Sequence, residues 1–151
     1  MGQQHISLHD VLGAIAADLA LVGLDFDAGV LDLARDEWIA GKPSAVADGF
    51  PRSGFVMVLR GLQTLLDTDA EGTPSAVSIA DIASEWAMDE LGHGWPELAD
   101  SEGDFVCLLQ PAAGNSGPVW AGGGVSVPLG SLSTVPLVRA SASDDAAPSD
   151  D

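Results

Sequence analysis

The chain reads as an α+β protein: an N-terminal layer of about four short helices over residues 7–94, then a small C-terminal antiparallel sheet or hairpin over 104–138. Three observations predict this. Before Pro96, apolar residues recur at helical spacing in four segments. After Pro96 the texture changes to short apolar runs broken by Gly and Pro. With 151 residues, 46% hydrophobic and only 19% charged, the chain suits one packed domain over 1–138 rather than a disordered polymer. The same spacing also fits a helical bundle that carries the hairpin as an appendage.

In the first segment, SLHDVLGAIAADLALV, Ser7 and Asp10 form a capping pair, and Leu8, Val11, Leu12, Ile15, Leu19 and Val22 share one stripe. The second, DAGVLDLARDEWIAGKP, takes Asp27 as N-cap, buries Leu31, Ala34 and Trp38, and stops at Gly41 and Pro43. The third, SGFVMVLRGLQTLL from Ser53, is apolar nearly all round. Phe55, Val58, Leu59, Leu62, Leu65 and Leu66 share a face, while Val56 and Met57 point elsewhere, toward a partner or the middle of a bundle. The fourth opens with the capping pair Ser78 and Asp81 and runs through Ile82 and Trp86 to a stop near Gly92.

Beyond Pro96, DFVCLLQP from Asp104 reads as a short buried strand, with Cys107 packed as a small hydrophobe. In PVWAGGGVSVPLGSLSTVPLV, Pro118, Pro128 and Pro136 confine extended pieces to edges, bulges or strand ends, and Ala121–Val125, AGGGV, reads as a hairpin tip. The acidic, small-residue tail 139–151 is expected to be disordered.

Charge is the outlier: 23 acidic against five basic side chains, a formal net of -18. Such a chain is repelled by phosphate backbones and anionic lipid heads, so direct nucleic-acid or membrane-surface binding is not expected, and a basic protein partner is. Two readings compete for the acidity. One is solubility in a high-salt, halophile-like cytoplasm or a composition set by a genome rich in G and C. The other is that the acids imitate nucleic-acid phosphates to occupy a basic protein. Asp81, Glu85 and Asp89, spaced i, i+4 and i+8, form one ridge on the outer face of the fourth helix, and Asp32 and Asp36 repeat that spacing on the second.

Two patterns invite a metal. DTDAEG, Asp67 to Gly72, resembles the start of an EF-hand calcium loop: Asp67, Asp69 and Glu71 match its first, third and fifth ligand positions, and Gly72 its turn glycine. A standard loop would end at Ser78. Treating three residues within TPSA as an insertion brings Asp81 to the last ligand position, so the resemblance implies a degenerate calcium site at Asp67, Asp69, Glu71 and Asp81. Glu90 and His93 give one E-x-x-H, which resembles half of a ferritin-like di-iron site, but no second such motif exists and Gly92 ends the helix before His93. PLGSLSTVPL resembles the Gly-Ser-Leu cargo tails that dock into encapsulin shells, here followed by the acidic tail.

No G-x-S-x-G, P-loop or G-x-G-x-x-G is present, there is no Tyr and only one Lys, and no catalytic residue or enzyme class is assigned. The start lacks a signal peptide's basic flank, and VLGAIAADLALVGL is shorter than a span of about 20 residues and holds Asp18, so a cytoplasmic location is expected. The functional expectation is a small non-enzymatic interaction protein: an accessory, adaptor or inhibitor subunit that docks on a basic or partly apolar surface through Asp81, Glu85, Asp89, Asp32, Asp36, Val56 and Met57. The alternatives are the calcium-binding reading and a structural assembly component. Nothing in the sequence bears on oligomeric state.

Overall fold

The computed structural model describes residues 7–44, 51–69, 72–115 and 117–138. It corrects the expected four-helix layer with a C-terminal hairpin. The described residues form two helices and nine strands in three antiparallel sheets, and the protein is mostly sheet.

The first helix stands where the apolar stripe predicts it. α1 spans Leu8–Ala20, Ser7 is its N-cap with Oγ accepting from the Asp10 N–H, and Val11, Leu12, Ile15 and Leu19 are buried. The second predicted helix is instead a hairpin of β1 (Ala28–Asp32) and β2 (Glu37–Gly41). Its turn is made by side-chain chemistry: Asp32 Oδ1 accepts from the Ala34 and Arg35 N–H groups at 3.0 and 3.2 Å, and Asp36 takes a left-handed φ of 54°. The expected N-cap, Asp27, lies outside any helix and pairs with Lys42 and Arg60. Gly29 and Gly41 face each other across this pair. A Cβ on Gly29 would overlap the Lys42 carbonyl, and one on Gly41 the Ala28 carbonyl.

The third predicted helix is also a hairpin, β3 (Phe55–Leu59) and β4 (Leu62–Leu66). Arg60 and Gly61, with φ of 49° and 89°, close the two-residue connection, and the right-handed strand twist favours positive φ at both such positions. The first sheet has the order β2-β1-β3-β4. Since β3 is central, Val56 and Met57 are 0% and 1% exposed. They are core residues and not the outward patch expected of them.

α2 spans Ala76–Leu91, one turn longer at its start than expected, because Ser75 and not Ser78 is the N-cap; Ser75 Oγ accepts from the Ser78 N–H. It ends where expected, at Gly92 in the left-handed region with φ 79°. α2 packs on α1, on β4 and on the third sheet.

The second sheet pairs β5 (Glu97–Ala99) with β6 (Phe105–Leu108), while residues 136–138 run along the other edge of β5, with Ala99 N–H donating to the Pro136 carbonyl and Val138 N–H to that of Glu97. The third, β7 (Gln110–Gly114), β8 (Gly117–Gly122) and β9 (Val125–Pro128), turns at Gly123 and Gly124 as AGGGV predicts. One buried cluster joins both helices to all three sheets, among it Ile15, Leu19, Val30, Met57, Ile79, Trp86, Leu98 and Trp120. The tail 139–151 lies outside the described residues, and no described helix is long and apolar enough to cross a membrane.

Candidate functional site: an acidic surface without cations

Of the residues singled out in the sequence, Asp81, Glu85 and Asp89 keep their arrangement. All three are exposed on α2, and Ile79, Ala80, Ala83, Trp86 and Ala87 on its opposite face are buried. At a rise of about 1.5 Å per residue the row runs about 12 Å along the helix. Asp32 and Asp36 share no such row, because one ends β1 and the other sits in the turn after it.

α2 carries its acids where helix physics disfavours them. Its first turn, where the macrodipole favours negative charge, has no acidic residue, and its last turn has no basic one. Asp89 and Glu90 stand exposed at the C-terminal end instead, beside free carbonyls of the same sign. Adding the i, i+4 repulsions along the ridge, the isolated helix is destabilised by on the order of 1 to 2 kcal/mol, less at physiological salt.

The whole second half shares this bias. Between Gly61 and Val138 the sequence has eleven acidic residues and no lysine or arginine. The described cations, Arg35, Lys42, Arg52 and Arg60, all belong to the turns and connections of the first sheet. Three of them face carboxylates: Arg35 lies 3.7 Å from Glu37, while Lys42 and Arg60 lie 3.6 and 3.4 Å from the two oxygens of Asp27. Asp27, Lys42, Pro43, Ser44, Arg60 and Gly61 line an open cleft of about 390 Å³, in which two cations share one carboxylate.

The EF-hand-like segment folds as a tight connection. Thr68 bridges to Pro74, Asp69 Oδ1 accepts from the Thr73 N–H at 2.9 Å, and Ser75 N–H donates to the Asp67 carbonyl. Asp81 projects from α2 into solvent and Glu71 lies outside the described residues. Among the described residues, no three carboxylate, histidine or cysteine side chains gather as a metal would need. His93 lies past the helix end, its Nδ1 2.8 Å from the Gly94 carbonyl oxygen. In the Gly-Ser-Leu segment, Leu129 and Leu132 are 7% and 0% exposed and belong to the core.

Sequence reasoning missed two features. DFVCLLQ was expected to be buried, yet Phe105 is 56% and Val106 45% exposed on β6. The other is Asp18, only 1% exposed, which binds α1 to the third sheet. Its Oδ2 accepts from Trp120 Nε1 at 2.8 Å and from the Gly130 N–H at 2.6 Å, and its Oδ1 from the Leu132 N–H at 3.1 Å. Burial holds this carboxyl above the usual carboxylate range, against the three hydrogen bonds that favour its ionised form. The signal was present in the sequence: Asp18 stands seven residues after Val11, on the apolar stripe itself.

No protein-family model, curated protein or solved structure matches this chain.

Proposed function

We propose that this chain is a small acidic docking protein, an accessory, adaptor or inhibitor subunit, whose cation-free half binds a basic surface of a protein partner. The observation that carries the reading is α2. Its exposed face bears Asp81, Glu85 and Asp89 in one row, with Asp89 and Glu90 against the helix dipole and no lysine or arginine on the helix to offset them. A local conflict of this kind is expected where a surface serves something other than the stability of its own fold. In its sharpest form the ridge takes the place of nucleic-acid phosphates on a basic protein.

Affinity capture from cells of the source organism, with the full chain as bait and parallel washes at low and high salt, tests the reading. A basic protein released by salt is the expected result, since exposed charges are screened within about 8 to 10 Å at physiological ionic strength. A partner held equally in both washes would contradict it.

A further inference from the structure

Among the described residues, the Asp27 cleft, the Trp95 indole and the β5–β6 hairpin stand apart from the α2 ridge. The cleft at Asp27 holds two cations, but both lean on one carboxylate within a strongly negative molecule. Trp95 Nε1 is buried without an acceptor among the described residues, but the indole sits in the core, edge-on to Trp120 at 5.3 Å. The β5–β6 hairpin is different, because it combines two adjacent exposed apolar side chains, a strand edge with no partner among the described residues, and a charged rim.

Among the described residues, β6 pairs with β5 alone. The register shifts by one residue between Leu98 and Ala99, opposite Cys107 and Phe105, so Val106 is an extra residue on β6. Such a bulge breaks the in-out alternation of a strand, and Phe105 and Val106 are both exposed. The glycine tip of the β8–β9 turn stands close to Cys107 and to one methyl of Val106: a Cβ on Gly123 would come within 3.0 Å of Cys107 Sγ and 3.5 Å of Val106 Cγ1. The open stretch is therefore the hairpin loop and Phe105, with the outer part of Val106 exposed beside the tip. The loop is acidic. Asp100 Oδ1 is occupied by the Glu102 and Asp104 N–H groups, which fixes the turn, while Glu102 and Asp104 are exposed.

We propose that this hairpin is the contact point for an extended segment of the partner in which an apolar run ends in lysine or arginine. The apolar run lies against Phe105 and Val106, and the cations meet Glu102 and Asp104. The proposal rests on the docking reading above and adds the place and the partner's chemistry. Adjacent exposed apolar side chains within a polar rim offer a partner apolar area to bury, and an open strand edge favours an extended ligand. Charge selects which one. A second copy of this chain, with a formal charge of -18, is repelled, whereas a basic segment is attracted.

The test is titration of the isotope-labelled full chain with a blocked peptide, Val-Thr-Val-Ile-Lys-Lys-Arg, and with its charge-reversed counterpart ending Glu-Glu-Glu, followed by amide chemical shifts. The basic peptide should move the amides of residues 100–108 at millimolar concentration or below, and the acidic one should not. Phe105→Ser with Val106→Ser should weaken binding about tenfold or more while leaving the remaining spectrum in place. Glu102→Gln with Asp104→Asn should remove most of its salt dependence. Shifts confined to Asp81, Glu85 and Asp89 would overturn the hairpin site and leave the docking half standing. Equal binding of both peptides, or no shift at all, would overturn the proposal and count against the docking half too. Self-association through Phe105 and Val106, seen as shifts that vanish on dilution, would make a second copy the occupant and refute it.

Discussion

Replacing Asp18 by Asn keeps the size of the side chain and changes only its hydrogen-bonding character. The carboxylate receives three N–H groups, two on Oδ2 from Trp120 and Gly130 and one on Oδ1 from Leu132. An amide has one oxygen. Oriented to keep the Trp120 and Gly130 bonds, Asn presents its own NH2 to the Leu132 N–H, two donors face to face. One hydrogen bond to a charged acceptor is lost and a buried donor is orphaned, together about 2 to 4 kcal/mol. Relief from burying a charge offsets part of this, leaving a net loss of about 1 to 3 kcal/mol. Asp18→Ala, which strips all three donors, should cost at least about 3 kcal/mol. Urea unfolding followed by tryptophan fluorescence and far-UV circular dichroism measures both. Each kcal/mol should also lower the thermal midpoint by about 2 to 4 °C for a chain of this size. An Asn variant as stable as the parent, or more stable, would refute the claim that this carboxylate ties α1 to the third sheet.

The remaining predictions concern the same core and the same charge. The Asp18 carboxyl is held above its ordinary value of 3.8, so the folded state binds that proton more tightly. The corresponding stability is fully present below pH 3.8 and is lost as pH rises through the folded value, so the parent should gain on Asp18→Asn during acidification; a difference that shrinks would contradict the direction. Trp120→Phe should cost about 1.5 to 3 kcal/mol for its charge-assisted bond, whereas Trp95→Phe should cost less because Nε1 there has no acceptor among the described residues. The reverse order in urea midpoints would show the two indoles misassigned. Gly29→Ala drives a Cβ into the Lys42 carbonyl and should destabilise by about 1 to 3 kcal/mol or more; an unchanged midpoint would show that β1 and β2 can part without cost. Sodium chloride should raise the thermal midpoint steeply between dilute buffer and roughly molar salt, as self-repulsion is screened. A falling midpoint would mean that the paired charges matter more than the unpaired ones.

What the sequence revealed, and what it hid, follows from which signals are local. α1 was legible because Ser7 and the stripe from Val11 to Leu19 agree. The end of α2 was legible because Gly92 supplies the left-handed residue that helix ends favour, and the tip at Gly123 and Gly124 because two adjacent glycines suit a tight hairpin. The strands β1 to β4 were not. β3 lies in the middle of a sheet and is buried on both faces, so its apolar run has no alternation to reveal it, and a continuous run fits helix and strand periods alike. The overlooked cue was the connection: Arg60-Gly61 between the apolar run Phe55–Leu59 and the leucine-rich Leu62–Leu66 is hairpin chemistry, and Val56 and Val58 favour strand. Asp32 likewise read as part of a helical acid row when its short side chain was making the β1–β2 turn. The acids of α2 kept their geometry because that helix is real. The missing cations between Gly61 and Val138 could have been counted from the sequence directly.

Whether the α2 ridge exists for a partner is decided most directly by comparing the parent chain with the triple variant Asp81→Asn, Glu85→Gln, Asp89→Asn against the protein captured at low salt. The quantity to measure is the slope of log Kd against log salt. The variant should bind at least about tenfold more weakly, with a shallower slope, while being as stable as the parent or more so when alone. Equal affinity and an unchanged slope would return the acids of α2 to the role of an ordinary solvated helix face.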